Sequence, residues 1–343
     1  MIHDTITVFP PAALEQAARV AAVLRDHDDY LVCAHANPDG DAAGSMAATG
    51  WLLHALGKRF LLYNSSGLPA YLDWLPLPGR VHTQLSPLPF TPRAAVVLDC
   101  GDARRVGEEL AALLPPAPDA LPCLNIDHHL GNPMFGTLGN WVAPECAATA
   151  QLVAYVAHAA GVPLSGALAE NIGLALLTDT GGFSHGNTSP QVLALAAHLA
   201  EQGLNFSRLR EQLEKQWSEA RMRLWGRLMQ DVAVHRKGTV ALAAVPYALF
   251  AETGATREDL EGLVEMLRRL KSVKAAILLR EDVPGVCKFS LRSSGTVDVR
   301  AAAVTLGGGG HTNAAGGMLR RPLEAAVKTV LHAVCAELDA EGI

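Results

Sequence analysis

The chain has 343 residues, half of them apolar and few aromatic, which is enough for two domains with sizeable cores. No window reaches the roughly 18 uninterrupted apolar residues of a membrane span, and the start, Met1-Ile-His-Asp-Thr5, has neither a basic nor an apolar leader, so a cytoplasmic protein with no membrane phase is expected. The net charge of −6 excludes a protein that coats long DNA by electrostatics alone.

In chain order, residues 11–27 carry Ala, Leu and Val at helical spacing. Tyr30-Leu-Val-Cys-Ala34 reads as a buried strand and is followed by His35-Ala-Asn-Pro-Asp-Gly-Asp41. Asn-Pro-Asp-Gly is turn chemistry, since Pro fixes φ and Gly permits a positive one. A helix is expected over 42–56, a short strand over 60–63, and irregular structure over 64–92. Ala94-Ala-Val-Val-Leu98 is a second buried strand ending in Asp99-Cys-Gly-Asp102, and a short helix over 105–114 stops at Pro115-Pro116. Cys123-Leu-Asn-Ile126 is a third, ending in Asp127-His-His129. A loop and helices at 146–160 and 167–178 lead into Thr178-Asp-Thr-Gly-Gly-Phe183.

Short, wholly apolar strands alternating with helices imply an α/β fold whose parallel sheet is covered on both faces. Residues 189–229 show only helical patterns and read as a connector. Strand patterns return at 232–235, 239–245, 273–280 and 286–292, with helices at 256–270, 298–306 and 322–338 and a glycine run at 307–310. The expected organisation is a catalytic domain over 1–188, a helical connector over 189–230 and a smaller α/β domain over 231–343.

The charge is unevenly spread. Residues 1–200 hold 8 Lys+Arg against 17 Asp+Glu, residues 201–343 hold 20 against 17, and no Lys or Arg lies between Arg105 and Arg208. An acidic half suits cations and a basic half suits an anionic substrate, although ordinary surface variation also produces such a split. The six cysteines are scattered through apolar runs without a Cys-x-x-Cys pair, as expected of buried reduced thiols.

Four element ends carry metal-type ligands: His35/Asp39/Asp41, Asp99, Asp127-His128-His129 and Asp179. Each alone is open to a plainer reading, as an Asx-turn, a helix cap or a solvated imidazole. Together they place four or more carboxylates without basic partners, an arrangement that divalent cations would stabilise. Asp and His without Cys favour Mn²⁺, with Mg²⁺, Co²⁺ or Zn²⁺ as alternatives, and the number of ligands suggests two ions about 3.5–4 Å apart sharing an Asp.

These stretches, His35-Ala-Asn-Pro-Asp-Gly-Asp-Ala42, Leu98-Asp-Cys-Gly-Asp102, Asp127-His-His129 and Thr178-Asp-Thr-Gly-Gly182, resemble the four ordered motifs of the DHH phosphoesterase superfamily. Gly307-Gly-Gly-Gly-His311, preceded by Leu291-Arg-Ser-Ser-Gly295, resembles its accessory C-terminal domain, and the layout is most similar to the nanoRNase-type oligoribonuclease/pAp phosphatases. The resemblance implies one metal held by His35, Asp39 and Asp99 and a second held by Asp41, Asp99, His128 and Asp179. It also implies that His129 faces the substrate phosphate. Asp127 is expected to orient the neighbouring imidazoles, and Asp102 to stay outside the ligand set.

In the second domain the glycine run, Gly308, Gly309 and Gly310 included, could bring backbone N–H groups to an anion. His311 and Arg292 are the expected phosphate ligands, with Ser293, Ser294, Asn313 and Lys288 as further donors. The implied activity is Mn²⁺-dependent cleavage of short single-stranded RNA or DNA oligonucleotides to 5′-mononucleotides and dephosphorylation of pAp, in a two-domain clamp that holds one phosphate for cleavage and another for anchoring. A cyclic di-AMP or pApA phosphodiesterase, a RecJ-type exonuclease and a non-catalytic nucleic-acid-binding module are the alternatives. Ala-rich helices that could leave an apolar face raise the expectation of a homodimer.

Overall fold

The computed structural model describes residues 7–215 and 217–342, and the chain divides into two units, Met1–Gln216 and Trp217–Ile343. The start Met1-Ile-His-Asp-Thr5 lies outside the described residues. Among those residues no helix is long and apolar enough to cross a membrane, and all six thiols are free, five of them buried.

The first unit opens with α1 (Pro11–Asp26), whose Ala17, Val20, Ala21 and Leu24 recur at helical spacing and are buried. Then come β1 (Tyr30–Ala34), α2 (Gly40–Ala55), β2 (Phe60–Tyr63), β3 (Val81–His82), β4 (Ala94–Leu98), α3 (Glu108–Ala111), β5 (Cys123–Asp127) and β6 (Gly139–Val142). Four helices complete it: α4 (Thr149–Ala159), α5 (Gly166–Asp179), α6 (Pro190–Glu201) and α7 (Phe206–Glu214). The sheet order is β3-β2-β1-β4-β5-β6, and every pairing is parallel. β1, β4 and β5 are buried along their whole length, as a sheet covered on both faces requires.

The chain runs outward from β1 to β3, then returns to lay β4 on the other side of β1. The connections after β1 and β4 therefore leave in opposite directions and open a crevice at the strands' carboxyl ends, where such sheets bind ligands. His35 and Asp99 are the first residues beyond those two ends.

α2 and α5 meet through small residues. A Cβ added at Gly44 would lie 2.6 Å from the carbonyl oxygen of Asn171, and one at Gly40 would overlap the Thr178 side chain. Gly40 is thus a close-approach residue at the first position of α2, and the positive φ of this turn falls on Asn37 (52°). The turn-glycine expectation is corrected accordingly. α2 and α4, two of the Ala-rich helices, are buried nearly all round.

The expected loop between Asp127 and α4 contains the edge strand β6. The expected connector is also divided. α6 and α7 pack on α5 in the first unit, and α8 (Glu219–Gln230) belongs to the second. Gly173 permits the α5–α7 contact, because a Cβ there would meet Leu204 at 2.5 Å and Leu209 at 3.0 Å.

After α8 the second unit contains β7 (Ala233–His235), β8 (Val240–Val245), α9 (Tyr247–Thr253), α10 (Leu263–Arg268), β9 (Ala275–Val283) and β10 (Val286–Ser293). It ends with α11 (Val299–Thr305), β11 (Gly309–His311), β12 (Ala314–Leu319) and α12 (Leu323–Ala340). The sheet order is β11-β12-β10-β9-β8-β7, with β8 and β9 parallel and the other pairs antiparallel. Cys287, Phe289 and Leu291 of β10 face the core shared with α11 and α12. Lys288, Ser290 and Arg292 alternate to the other face. The helix expected over 256–270 is broken at Gly262, whose φ of +82° only glycine takes readily, leaving a 3₁₀ turn over 258–260 and the short α10.

Candidate active site

Every candidate ligand of the first unit emerges from an element end at the crevice. Asp39 caps α2 by accepting from the N–H groups of Asp41 and Ala42, both at 3.1 Å. Asp41 is fully buried in the first turn of that helix, and Asp179 is the last residue of α5. Asp99 follows β4 with φ of +52°, a left-handed conformation tolerated by Asp, and its N–H donates to the Ile126 carbonyl of β5.

Three groups of ligand atoms result, each with all members within 4.8 Å: His35/Asp39/Asp99, Asp41/His128/Asp179 and Asp99/His128/His129. His35 Nε2 lies 3.6 Å from Asp99 Oδ2 and 4.0 Å from Asp39. His128 Nε2 lies 3.4 Å from Asp99 Oδ1, 3.4 Å from Asp179 and 3.6 Å from Asp41. The two oxygens of Asp99 therefore face different groups.

The donor set fits a divalent cation on its own chemistry. His35 Nδ1 is 2.9 Å from the Ala36 carbonyl and His128 Nδ1 is 3.2 Å from the Cys146 carbonyl. Those bonds hold the neutral ring's proton on Nδ1 and aim the Nε2 lone pair at carboxylate oxygens. Only a proton or a cation between them makes such an arrangement favourable. Burial pushes the Asp41 carboxyl well above the usual range, with Asp99 and Asp179 adding to the effect. Burial and the Asp99 charge push Asp179 up to about 7. Burial opposes charge on His128, but Asp99, Asp41 and Asp179 outweigh it and raise its pKa to about 9. Among the described residues, no Lys or Arg pairs with Asp39, Asp41, Asp99 or Asp179.

His129 differs from the other two. Its Nδ1 donates to Asp127 Oδ1 at 2.8 Å, and Asn132 donates to Asp127 Oδ2 at 2.7 Å. The ring is 39% exposed while Asp127 is buried. The Asp127 bond raises the His129 pKa against its partial burial. Burial alone would raise Asp127, but the bonds from His129 and Asn132 bring it below its usual value. Asp102 stands apart, capping a 3₁₀ turn and pairing with Arg104, which holds its carboxyl down at about 2.

Several contributors escaped sequence reasoning. The first N–H groups of α4 dock on Asp41, Thr149 N–H at 2.6 Å and Ala150 N–H at 3.0 Å, and Ser45 Oγ donates to it at 2.8 Å. The Thr149 hydroxyl donates to Asp99 Oδ1 at 3.1 Å. Ser45 was findable, being four residues beyond Asp41 on one helix. Thr149 and Asn132 carried no local signal, because their roles arise from chain crossings 50 to 109 residues long for Thr149 and Ala150, and from a loop for Asn132.

In the second unit the outcome is mixed. Arg292, Ala314 and His311 lie in one cross-strand row on β10, β12 and β11. Opposed residues share a face, so a cation and an imidazole flank a small side chain about two strand spacings, or roughly 10 Å, apart. Arg292 Nε also pairs with Glu265 at 2.8 Å. Ser293 is corrected: it is buried, donates to the Val297 carbonyl at 2.6 Å and accepts from Asn313, whose amide is thereby committed to the same turn. Ser294 Oγ accepts from Arg268. The glycine run is only partly a loop. Gly309, Gly310 and His311 form the exposed edge strand β11, and a Cβ at Gly308 would overlap the Gly316 carbonyl. Close backbone packing thus explains Gly308. Arg300 lines a shallow recess with Gly310, His311 and Thr312 and was not anticipated.

Residues 29–177 match the family described as "DHH family, N-terminal domain", and residues 238–339 match the DHHA1 domain. A Thermus thermophilus protein named bifunctional oligoribonuclease and PAP phosphatase NrnA is 34% identical, over 97% of this chain and 97% of its own length. A Bacillus subtilis protein of the same name is 23% identical over 84% of this chain and 89% of its own. The crystal structure of an exopolyphosphatase-related protein from Bacteroides fragilis matches with a TM-score of 0.78 at 25% identity, covering 96% of this chain and 97% of that one.

Proposed function

The chain belongs to the DHH phosphoesterase family and carries its DHHA1 domain, and on that footing we propose that it is a Mn²⁺-dependent phosphoesterase that cleaves short RNA oligonucleotides to 5′-mononucleotides and removes the 3′-phosphate of pAp. The observation that carries this reading is the convergence of four carboxylates and two imidazole lone pairs at the crevice between β1 and β4. The activities named for the Thermus thermophilus relative support the substrate class.

His35, Asp39 and Asp99 would hold one cation, and Asp41, Asp99, His128 and Asp179 a second. When bound, such a pair acidifies water towards neutral pH and offsets charge on phosphoryl oxygens. The protein's own groups do the rest. Asp127 fixes the His129 ring through Nδ1 and favours its protonated form, whose Nε2–H would donate to a phosphoryl oxygen. Thr149, Ala150 and Ser45 fix the rotamer of Asp41 through three hydrogen bonds. In the second unit, Arg292 offers a charge-assisted donor, and His311 an imidazole in the same cross-strand row, to an anionic group of the substrate.

A product assay with Mn²⁺ on pAp, an RNA dinucleotide, a long single strand and cyclic di-AMP tests the proposal. AMP from pAp and mononucleotides from the dinucleotide are expected as the fast reactions. Faster attack on the long strand would favour a RecJ-type exonuclease, and faster attack on cyclic di-AMP a cyclic-dinucleotide phosphodiesterase.

A further inference from the structure

The segment leaving Asp179 is strained and tied to α7. Gly181, Gly182 and Phe183 have successive φ values of +56°, +68° and +64°. The last of these is unfavourable for a bulky side chain, and strain of this kind gathers at functional sites. Two contacts to α7 hold the turn. Phe183 packs edge-to-face on Phe206, with ring centroids 5.6 Å apart, and Arg210 lays its Nη1 over Gly182 so closely that any Cβ there would overlap it. Glycine at 182 therefore satisfies both the backbone and a guanidinium.

The turn's own amides are spent. Gly181 N–H donates to Thr178, Gly182 to Leu177, and Ser184 and His185 to the Thr180 carbonyl, while Phe183 N–H donates to Thr180 Oγ1. An anion arriving beside Asp179 must be met by side chains. Arg210 uses Nε for Glu214 at 2.5 Å, and among the described residues its terminal nitrogens have no acceptor. Its exposed pair with Glu214 is of the kind that adds little stability. No Lys or Arg occurs from 106 to 207, so Arg210 brings positive charge to a loop whose stretch of chain has none of its own.

We propose that Arg210 is a specificity-determining residue whose guanidinium fork takes a phosphate of the substrate other than the one cleaved. A planar fork matches two phosphate oxygens, which a lysine in its place would not. This rests on the phosphoesterase reading, and it makes the first unit itself prefer substrates with neighbouring phosphates.

The test compares pApA with ApA, which differ only in the phosphate that is not cleaved. Affinity is measured with Ca²⁺ in place of Mn²⁺, so that binding is read without turnover, and KM and kcat are measured with Mn²⁺. Arg210→Ala is expected to weaken pApA binding and raise its KM by about tenfold or more, as loss of a charge-assisted contact does, with little change in kcat. ApA should be affected much less, and Arg210→Lys should fall between. Added salt should weaken pApA binding to the wild type more than to Arg210→Ala, since an exposed charge contact is screened. Unchanged pApA affinity, or an equal loss for pApA and ApA, would overturn the proposal. A wild-type protein that binds both ligands but cleaves neither would sink the phosphoesterase reading alone, and the binding comparison would still decide the role of Arg210.

Discussion

At the scale of single residues, the site is an electrostatic problem that its own side chains leave unsolved. Asp179, at about 7, and His128, at about 9, both bind protons more tightly in the folded chain than the usual 3.8 and 6.5. The stability each contributes is full below its unfolded value and is lost as pH rises through its folded value. Chelator-treated protein should therefore melt at falling temperatures from about pH 4 to about pH 9, and saturating Mn²⁺ should suppress that decline. A flat or rising profile without metal would contradict the cluster's electrostatics. The convergence of these Asp and His residues was legible in the sequence because they cluster just beyond apolar runs, and the run fixes where the chain emerges. Thr149 was not legible, since its hydroxyl matters only once α4 has docked across the sheet on Asp41 and Asp99.

At the scale of elements, geometry depends on how closely α2 and α5 approach. Gly40 meets Thr178, whose hydroxyl is itself held by the Leu174 and Ala175 carbonyls at 3.2 and 3.0 Å. Gly40→Ala should cost about 1–3 kcal/mol by overpacking, read as a lower urea midpoint. It should also reduce turnover, because Asp41 and Asp179 sit at the ends being pushed apart. A midpoint equal to wild type would show that Thr178 can yield. The strands of the parallel sheet were legible as continuous apolar runs. β6 was not, because Gly139-Asn-Trp-Val142 is a short edge strand with mixed polarity. β11 and β12 were hidden by their glycines, which serve backbone contact with β10 and with each other. A Cβ at Gly316 would lie 2.6 Å from the Phe289 carbonyl oxygen. In the second unit, Arg292→Ala should raise KM for an oligonucleotide more than it lowers kcat, as expected when a contact that contributes only binding is lost. An unchanged KM would confine Arg292 to its pair with Glu265.

At the scale of the whole molecule, the charge split follows the division of the chain. The crevice residues all lie in the acidic part of the chain, and 20 of the 28 Lys and Arg residues follow residue 200, those of α7 included. The two-unit α/β architecture was legible from the alternation of strands and helices. The boundary was not, because α6, α7 and α8 share one helical texture, and only their packing assigns two to the first unit and one to the second. The central claim is that Asp99, with its oxygens facing different groups, is shared by two cations that drive phosphoester hydrolysis. Calorimetric titration of Mn²⁺ into chelator-stripped protein tests it most directly. Two ions per chain are predicted for the wild type, with both sites weakened and hydrolysis of an RNA dinucleotide nearly abolished in a folded Asp99→Ala variant. A wild type that takes up no ion, or an Asp99→Ala variant that binds two ions and turns over as before, would contradict it.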